Sequence, residues 1–144
     1  MVDEQPIVGR TKHGELTLDQ LAELQPGLGT LMREVSDRYW ICFYAAQNGN
    51  WDLAAYQLRA LRSVFGKGST TRPKYKAMLE EYARRVFDPL QQAVATKYWA
   101  AFASHYQAGI VLANQWHVAT KHGEIVWQLP AQPPLHLQLT GTKP

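Results

Sequence analysis

His117 and the four residues before it form the segment whose residue types and spacing best suggest chemistry. The run Ala113-Asn114-Gln115-Trp116-His117 has the spacing of the Cys-x-x-Cys-His motif that attaches haem covalently. Ala113 and Trp116 stand where the two cysteines belong, so thioether bonds to a porphyrin cannot form. The imidazole that would bind iron is kept. His117 is therefore the predicted catalytic or iron-binding residue. It would bind a metal only if haem is present, and that haem would be non-covalent haem b.

Helical spacing turns His117 to the same side as Ala113, Ile110 and Tyr106, which predicts a buried side chain. A buried imidazole needs hydrogen-bond partners for its nitrogens, and three roles are open to it. It can be a core histidine satisfied by the protein, a ligand of haem iron, or a polar group that addresses an organic ligand or acts as a general base. No Glu-x-x-His or His-x-x-x-His pair includes His117, so a metal other than haem iron is not predicted.

Aromatic side chains supply the walls of the predicted pocket. Trp116 either fills the space beside the lost porphyrin edge or stacks on a flat ligand. The predicted ligand is an apolar or aromatic small molecule, and the further walls are Tyr39, Phe43, Tyr56, Trp99, Phe102 and Tyr106. The alternative interpretation is that these rings close the space as core. A second alternative function is an enzyme without haem, in which His117 acts as acid or base on an apolar or aromatic substrate.

Composition and hydrophobic periodicity predict the helices that position these residues. The 144 residues suffice for one domain, and 46% hydrophobic with 19% charged residues is typical of a globular protein. Apolar residues recur with the helical period over about 28–48, 51–65 and 97–120, and over a further helix that begins at Pro73. Asp88-Pro89 either kinks this helix or begins a new segment. Short connections between such helices predict an all-α fold, an antiparallel four-helix bundle.

The chain divides into three predicted parts. Residues 1–16 are predicted to form a flexible leader. Residues 17–124 are predicted to form the bundle with a short N-terminal helix, and residues 125–144 an extended proline-rich tail that packs on the bundle. Thr17 and Gln20 form a capping box for the short helix. The glycine-containing stretch 66–71 predicts a loop between the second and third main helices.

Several classes of protein are excluded or disfavoured by composition. A single cysteine, Cys42, rules out an intrachain disulfide, and its apolar neighbours predict a buried, inert thiol. The net charge of +3 without a recognised motif disfavours a nucleic-acid partner. No apolar run approaches the roughly 20 residues of a membrane-spanning helix. The polar N-terminus does not resemble a signal peptide, which predicts a cytoplasmic protein as written and a periplasmic one if a leader has been removed.

Four stretches of the chain resemble a family of small bacterial c-type cytochromes, similar to cytochrome c′, that are built as four-helix bundles. Together they extend over most of the sequence, in the family's order: residues 25–32, 49–56, 116–120 and 129–134. In that family, the motif histidine binds iron from the last helix, and the first helix lines the opposite face of the haem.

The resemblance implies specific roles for residues of this chain. By position, His117 would be the proximal ligand, with Leu28, Leu31 or Met32 on the distal side. The departure at Ala113 and Trp116 excludes covalent haem. The family also commonly forms dimers through its helices, and Trp40 and Tyr44 widen the apolar surface of the first helix, so we predict a homodimer.

Overall fold

The computed structural model describes residues 7–141 and is mainly helical. The elements are a hairpin of β1 and β2 followed by six α-helices: β1 (Val8–Thr11), β2 (Gly14–Thr17), α1 (Leu18–Glu23), α2 (Leu28–Gln47), α3 (Trp51–Thr71), α4 (Lys76–Tyr82), α5 (Asp88–Ala95) and α6 (Trp99–Ala119). A short 3-10 turn, Pro73–Tyr75, precedes α4, and a π-helical turn, Ala83–Phe87, joins α4 to α5. The prediction of a mainly helical protein is confirmed, with a two-stranded sheet added.

The N-terminal hairpin lies in the stretch predicted as a flexible leader, residues 1–16, and extends one residue beyond it. β1 and β2 pair antiparallel from Val8 opposite Thr17 to Thr11 opposite Gly14. Residues 1–6 of the predicted leader lie outside the described residues. Strands of four residues are too short for the alternation of apolar and polar residues to be evident in the sequence, which is why they were not predicted.

The short helix α1 begins with the predicted capping box. The Gln20 backbone N–H donates to Thr17 Oγ1 at 3.1 Å, and the Thr17 N–H donates to Gln20 Oε1 at 2.9 Å. Both contacts satisfy backbone donors that the first helical turn leaves free. The predicted start of this helix is confirmed.

α3 continues through the stretch 66–71 that was predicted as a loop, and that prediction was wrong. The reason lies at Gly68, which is buried against neighbouring helices. A β-carbon there would lie 3.0 Å from Leu28 Cδ2 and 3.1 Å from Leu79 Cδ1. Glycine thus permits close packing within a helix here, and this tertiary contact outweighs its unfavourable helix propensity of about 1 kcal/mol.

The helical path remains continuous past Pro89 because a π turn precedes it. Proline lacks a backbone N–H and its ring collides with the carbonyl four residues earlier. In the π turn the Asp88 N–H donates to the Ala83 carbonyl, five residues back, so that the hydrogen-bond pattern is already shifted where Pro89 enters the first turn of α5. This turn buries Val86 and Phe87 in the core.

The long helices pack in pairs through specific side-chain contacts. α2 packs along α3, where Arg38 Nη1 donates to Gln57 Oε1 at 3.1 Å. α5 packs along α6, and α2 meets α6 where Tyr39 contacts Tyr106. The core between these helices is dominated by aromatic and aliphatic side chains.

The C-terminal segment after α6 has no regular secondary structure and crosses the helices. Trp40 Nε1 donates to the Gln132 carbonyl at 2.9 Å, and the Tyr44 hydroxyl donates to the Pro130 carbonyl at 2.7 Å. The tail therefore covers the surface of α2 on which the homodimer prediction depends, and that homodimer stays a prediction. Residues 142–144 of the predicted tail lie outside the described residues.

Within residues 7–141, none of the helices is both long enough and apolar enough to cross a membrane.

Candidate ligand cavity

A cavity of about 750 Å³ lies between one end of α2, the α4–α5 region and the C-terminal end of α6. Its size falls within the range of about 300–1,000 Å³ typical of small-molecule sites. The walls are mostly apolar and aromatic, and the residues that line it are Leu28, Gly29, Met32, Arg33, Val35, Ser36, Tyr39, Phe65, Tyr75, Met78, Leu79, Tyr82, Phe87, Ile110, Ala113, Trp116, His117, Thr120, His122, Ile125 and Trp127.

Two tyrosines at the buried end of the cavity already use their hydroxyl protons. The Tyr39 hydroxyl donates to the Tyr106 carbonyl at 2.8 Å, and the Tyr82 hydroxyl donates to the Gly109 carbonyl at 2.9 Å. Burial raises the pKa of both phenols well above the ordinary value. Neither hydroxyl is therefore suited to give up a proton near neutral pH.

Gly109 permits this arrangement of tyrosines. A β-carbon at this position would collide with the Tyr39 hydroxyl and with Val86 Cγ1. The absence of a side chain lets α6 approach α2 and the π turn closely enough for both hydroxyls to reach backbone carbonyls. Gly109 thus positions the floor of the cavity without contacting its interior.

His117 lines the cavity as a half-buried side chain near the end of α6. Its Nδ1 lies 2.9 Å from the Ile125 carbonyl oxygen. Because a carbonyl can only accept, Nδ1 carries the proton, and in the neutral ring Nε2 is then the unprotonated nitrogen with a free lone pair. Such a bond from the other ring nitrogen commonly orients histidines that bind metals.

Trp116 and Trp127 contribute large ring surfaces to the cavity walls. Trp116 lies edge-on to Tyr82, with ring centroids 5.8 Å apart. Trp127 belongs to the C-terminal tail and is held in place by two hydrogen bonds with Asn114. Its Nε1 also donates a hydrogen bond to Ser36 Oγ at 2.7 Å. The tail thereby completes one wall of the cavity.

The structure divides the predicted site residues into two groups. Those that line the cavity are Leu28, Met32, Tyr39, Ala113, Trp116 and His117. Those that lie elsewhere are Leu31, Phe43, Tyr56, Trp99, Phe102 and Tyr106. Leu31 is buried against α3 near Gly68, and Tyr56 is 53% exposed on α3.

The remaining predicted residues form a packed aromatic cluster, defined here as Phe43, Trp99, Phe102 and Tyr106. The Tyr106 ring stacks on Tyr39 with centroids 4.0 Å apart and planes 8° from parallel. The Tyr106 hydroxyl donates to the Tyr39 carbonyl at 2.8 Å, reciprocating the bond from Tyr39. This cluster fills the space between α2 and α6 beyond the floor of the cavity.

Several lining residues were not among the predicted site residues. Met78 and Tyr82 lie on the inward face of the third helical segment, which periodicity identifies, but periodicity does not reveal which part of that face borders empty space. His122, Ile125 and Trp127 follow the last helix, where no sequence signal links them to the cavity.

No protein family, curated protein or solved structure matches the chain. Among the residues the structure describes, no group of three or more histidine, cysteine or acidic side chains could hold a metal ion. The function is therefore inferred from the cavity itself.

Proposed function

We propose that this is a cytochrome c′-like protein without covalent haem, whose cavity binds an apolar or aromatic small molecule, non-covalent haem b included. The observation that carries the proposal is a large apolar cavity whose wall includes His117, with its ring oriented by the contact of Nδ1 with the Ile125 carbonyl. Apolar burial supplies affinity, and a small number of polar groups fixes the orientation of the ligand.

In this proposal the long helices form an antiparallel four-helix bundle of α2, α3, the α4–α5 segment and α6. The order of contacts supports it. Tyr39 meets Tyr106, whereas the later residue Phe43 meets the earlier residue Trp99, as expected for helices that run in opposite directions. Between α2 and α3, Arg38 meets Gln57 and Cys42 meets Ala54 in the same reversed order.

The residues of the cavity are compatible with non-covalent haem. His117 would hold the iron through Nε2, while Trp116, Met32 and Tyr82 would contact the ring. Bound haem would supply redox chemistry and an open coordination position for small gases. Ala113 and Trp116 both line the cavity, so a ligand bound there would lie beside the two positions that cysteines hold in the haem-attachment motif.

The alternative of an acid–base enzyme has less support. His117 donates to a backbone carbonyl, not to a carboxylate that would stabilise its protonated form. No aspartate or glutamate of residues 7–141 lines the cavity, and Glu34 pairs instead with Arg38 at 2.8 Å. The tyrosine hydroxyls at the floor are engaged with carbonyls. Binding therefore accounts for the site better than proton transfer does.

The test of haem binding is an absorption spectrum of the purified protein before and after titration with haemin. We expect a stoichiometric Soret band that His117→Ala abolishes or shifts. His105→Ala is the matched control, because His105 is an exposed residue of the same helix outside the cavity and its loss should leave the band unchanged.

A neutral apolar dye, N-phenylnaphthylamine, tests binding without haem. Its fluorescence should rise on binding to the wild type. Ala113→Phe should reduce this signal by filling the cavity, while Ala100→Phe on the exposed side of α6 should not. Absence of both the Soret band and the dye signal in a folded protein would refute the proposed function.

A further inference from the structure

The cavity has chemically different ends. Its lining residues that are buried are aromatic or aliphatic: Tyr39, Phe65, Leu79, Tyr82, Phe87 and Ile110. Its lining residues that are exposed are Gly29, Arg33, His122 and Ile125, and these mark the mouth. A ligand that fills the cavity therefore places an apolar part against these buried walls and meets Arg33 where the cavity opens.

The polar groups at the mouth favour negative charge. Among residues 7–141, the lining contains one arginine and two histidines but no acidic side chain. Glu124 is close by, with Oε1 3.3 Å from His122 Nδ1, but it does not line the cavity. Arg33 is thus the one side chain of the described lining that is always charged near neutral pH.

Arg33 is the one arginine among residues 7–141 that lines the cavity, and like the exposed Arg59 and Arg84 it has no partner among the described residues. Arg38 pairs with Glu34, and Arg62 pairs with Asp88 at 2.6 Å. Arg72 donates to the Thr71 and Gln25 carbonyls. Over residues 7–141 no ion pair or hydrogen bond engages the Arg33 guanidinium, so its five donors remain available to a ligand.

We infer that the ligand is an amphiphile with an apolar body and a carboxylate, and that Arg33 binds the carboxylate at the mouth. The planar guanidinium matches a carboxylate with two parallel hydrogen bonds, which are stronger than those between neutral groups. A cationic amphiphile would meet repulsion from the same residue. This inference rests on the proposed function, since it names the chemistry of the molecule in that cavity.

Two kinds of molecule offer this chemistry. An aliphatic carboxylic acid would place its chain between the aromatic walls, whereas a porphyrin would present its propionates to Arg33. Dodecanoate and dodecanol form one matched pair of probes, and haemin and its dimethyl ester form the other. Each pair keeps the apolar body and differs in the carboxylate, and intrinsic tryptophan fluorescence reports binding because Trp116 and Trp127 line the cavity.

We expect the wild type to bind the acid of at least one pair about tenfold more tightly than its neutral analogue, as a charge-assisted hydrogen bond predicts. Arg33→Met should remove this preference while keeping affinity for the neutral analogue. Arg33→Lys, which keeps the positive charge, should retain part of the preference for the acid. Arg59→Met removes an exposed arginine of α3 that lies outside the cavity, and it should leave the preference intact. The preference should also weaken as ionic strength rises.

The outcomes separate this inference from the function it rests on. Equal binding of acid and neutral analogue in both pairs would overturn the role of Arg33 and leave a cavity that binds apolar molecules. A preference that survives Arg33→Met would likewise overturn it. Failure of all four probes to bind a folded protein would overturn the proposed function as well. Preference within the dodecyl pair alone would identify an aliphatic acid, and preference within the haemin pair alone would identify the porphyrin.

Discussion

The contact between α2 and α6 has two ends with similar residues, but one end is closely packed and the other surrounds a cavity. At one end, the Tyr106 ring packs against Phe43 and Phe102 with centroids 4.9 Å and 5.9 Å apart, and Phe102 is fully buried. At the other end, Met32, Trp116 and their neighbours surround a cavity of about 750 Å³. Both ends are aromatic and both are placed inward by helical periodicity.

The difference arises from how closely the helices approach. Tyr39 and Tyr106 stack and exchange hydrogen bonds to each other's backbone carbonyls, which draws α2 and α6 together at that height. Gly109 lets this contact form, and beyond it the helices are separated by space that no side chain fills. The packed aromatic cluster thus stabilises the fold, while the cavity end leaves room for a ligand.

Truncating one large side chain at each end should give the largest difference in the free energy of unfolding between the packed end and the cavity end. Phe102→Ala should lower the free energy of unfolding by about 3–5 kcal/mol, since it opens a void in a filled core. Met78→Ala should cost only about 1–2 kcal/mol, because Met78 is half-buried and already borders the cavity. Urea denaturation of both variants measures the two values. Equal losses would show that the two ends are packed alike.

A smaller effect is expected from adding a single methyl group to glycine. Gly109→Ala should destabilise the protein by about 1–3 kcal/mol, because the new β-carbon collides with Tyr39 and Val86. Gly66→Ala is the matched control, since open space surrounds that helical position, and it should stabilise by up to about 1 kcal/mol through helix propensity. Thermal unfolding followed by circular dichroism compares them. A tolerated Gly109→Ala would contradict the close approach described above.

A last expected effect is on the dependence of stability on high pH. Burial raises the pKa of Tyr39, Tyr82 and Tyr106 above the ordinary 10.0, and burial raises the pKa of the Cys42 thiol above 9.0. The unfolded chain therefore loses these protons first, and the stability that their retention contributes at neutral pH declines as pH rises past about 9–10. The slope should be steep, since each such proton contributes about 1.4 kcal/mol per pH unit.

Tyr82→Phe tests this pH dependence at one group. It should lower the free energy of unfolding by about 1 kcal/mol at neutral pH, because the hydrogen bond to the Gly109 carbonyl is lost. The decline of the free energy of unfolding with rising alkaline pH should become shallower by the contribution of one proton. Gly66→Ala serves again as the control, since it changes stability without changing the number of titrating groups. Urea unfolding at a series of alkaline pH values gives the slopes. An unchanged slope in Tyr82→Phe would show that this phenol ionises in the folded protein.

Much of the helical scaffold could be predicted because its signals are local. The capping box of Thr17 and Gln20 starts α1 as predicted, and the start of the helical turn at Pro73 is also confirmed. The prediction failed where a distant contact decided the backbone, as at Gly68, whose neighbours come from α2 and α4. The π turn before Pro89 likewise could not be read from residue types alone.

For the candidate site, the sequence by itself determined the residue types: a histidine without its two cysteines, and helices with aromatic inward faces. Only the tertiary structure decided which of those aromatic residues pack and which surround a cavity, and which nitrogen of His117 is free. The physical reason is that helical phase specifies a direction around one axis, whereas the separation of two helices depends on contacts such as Gly109 against Tyr39 and Val86. The tail residues that close the cavity are brought there by other long-range contacts, such as the hydrogen bonds of Trp127 with Asn114 and Ser36.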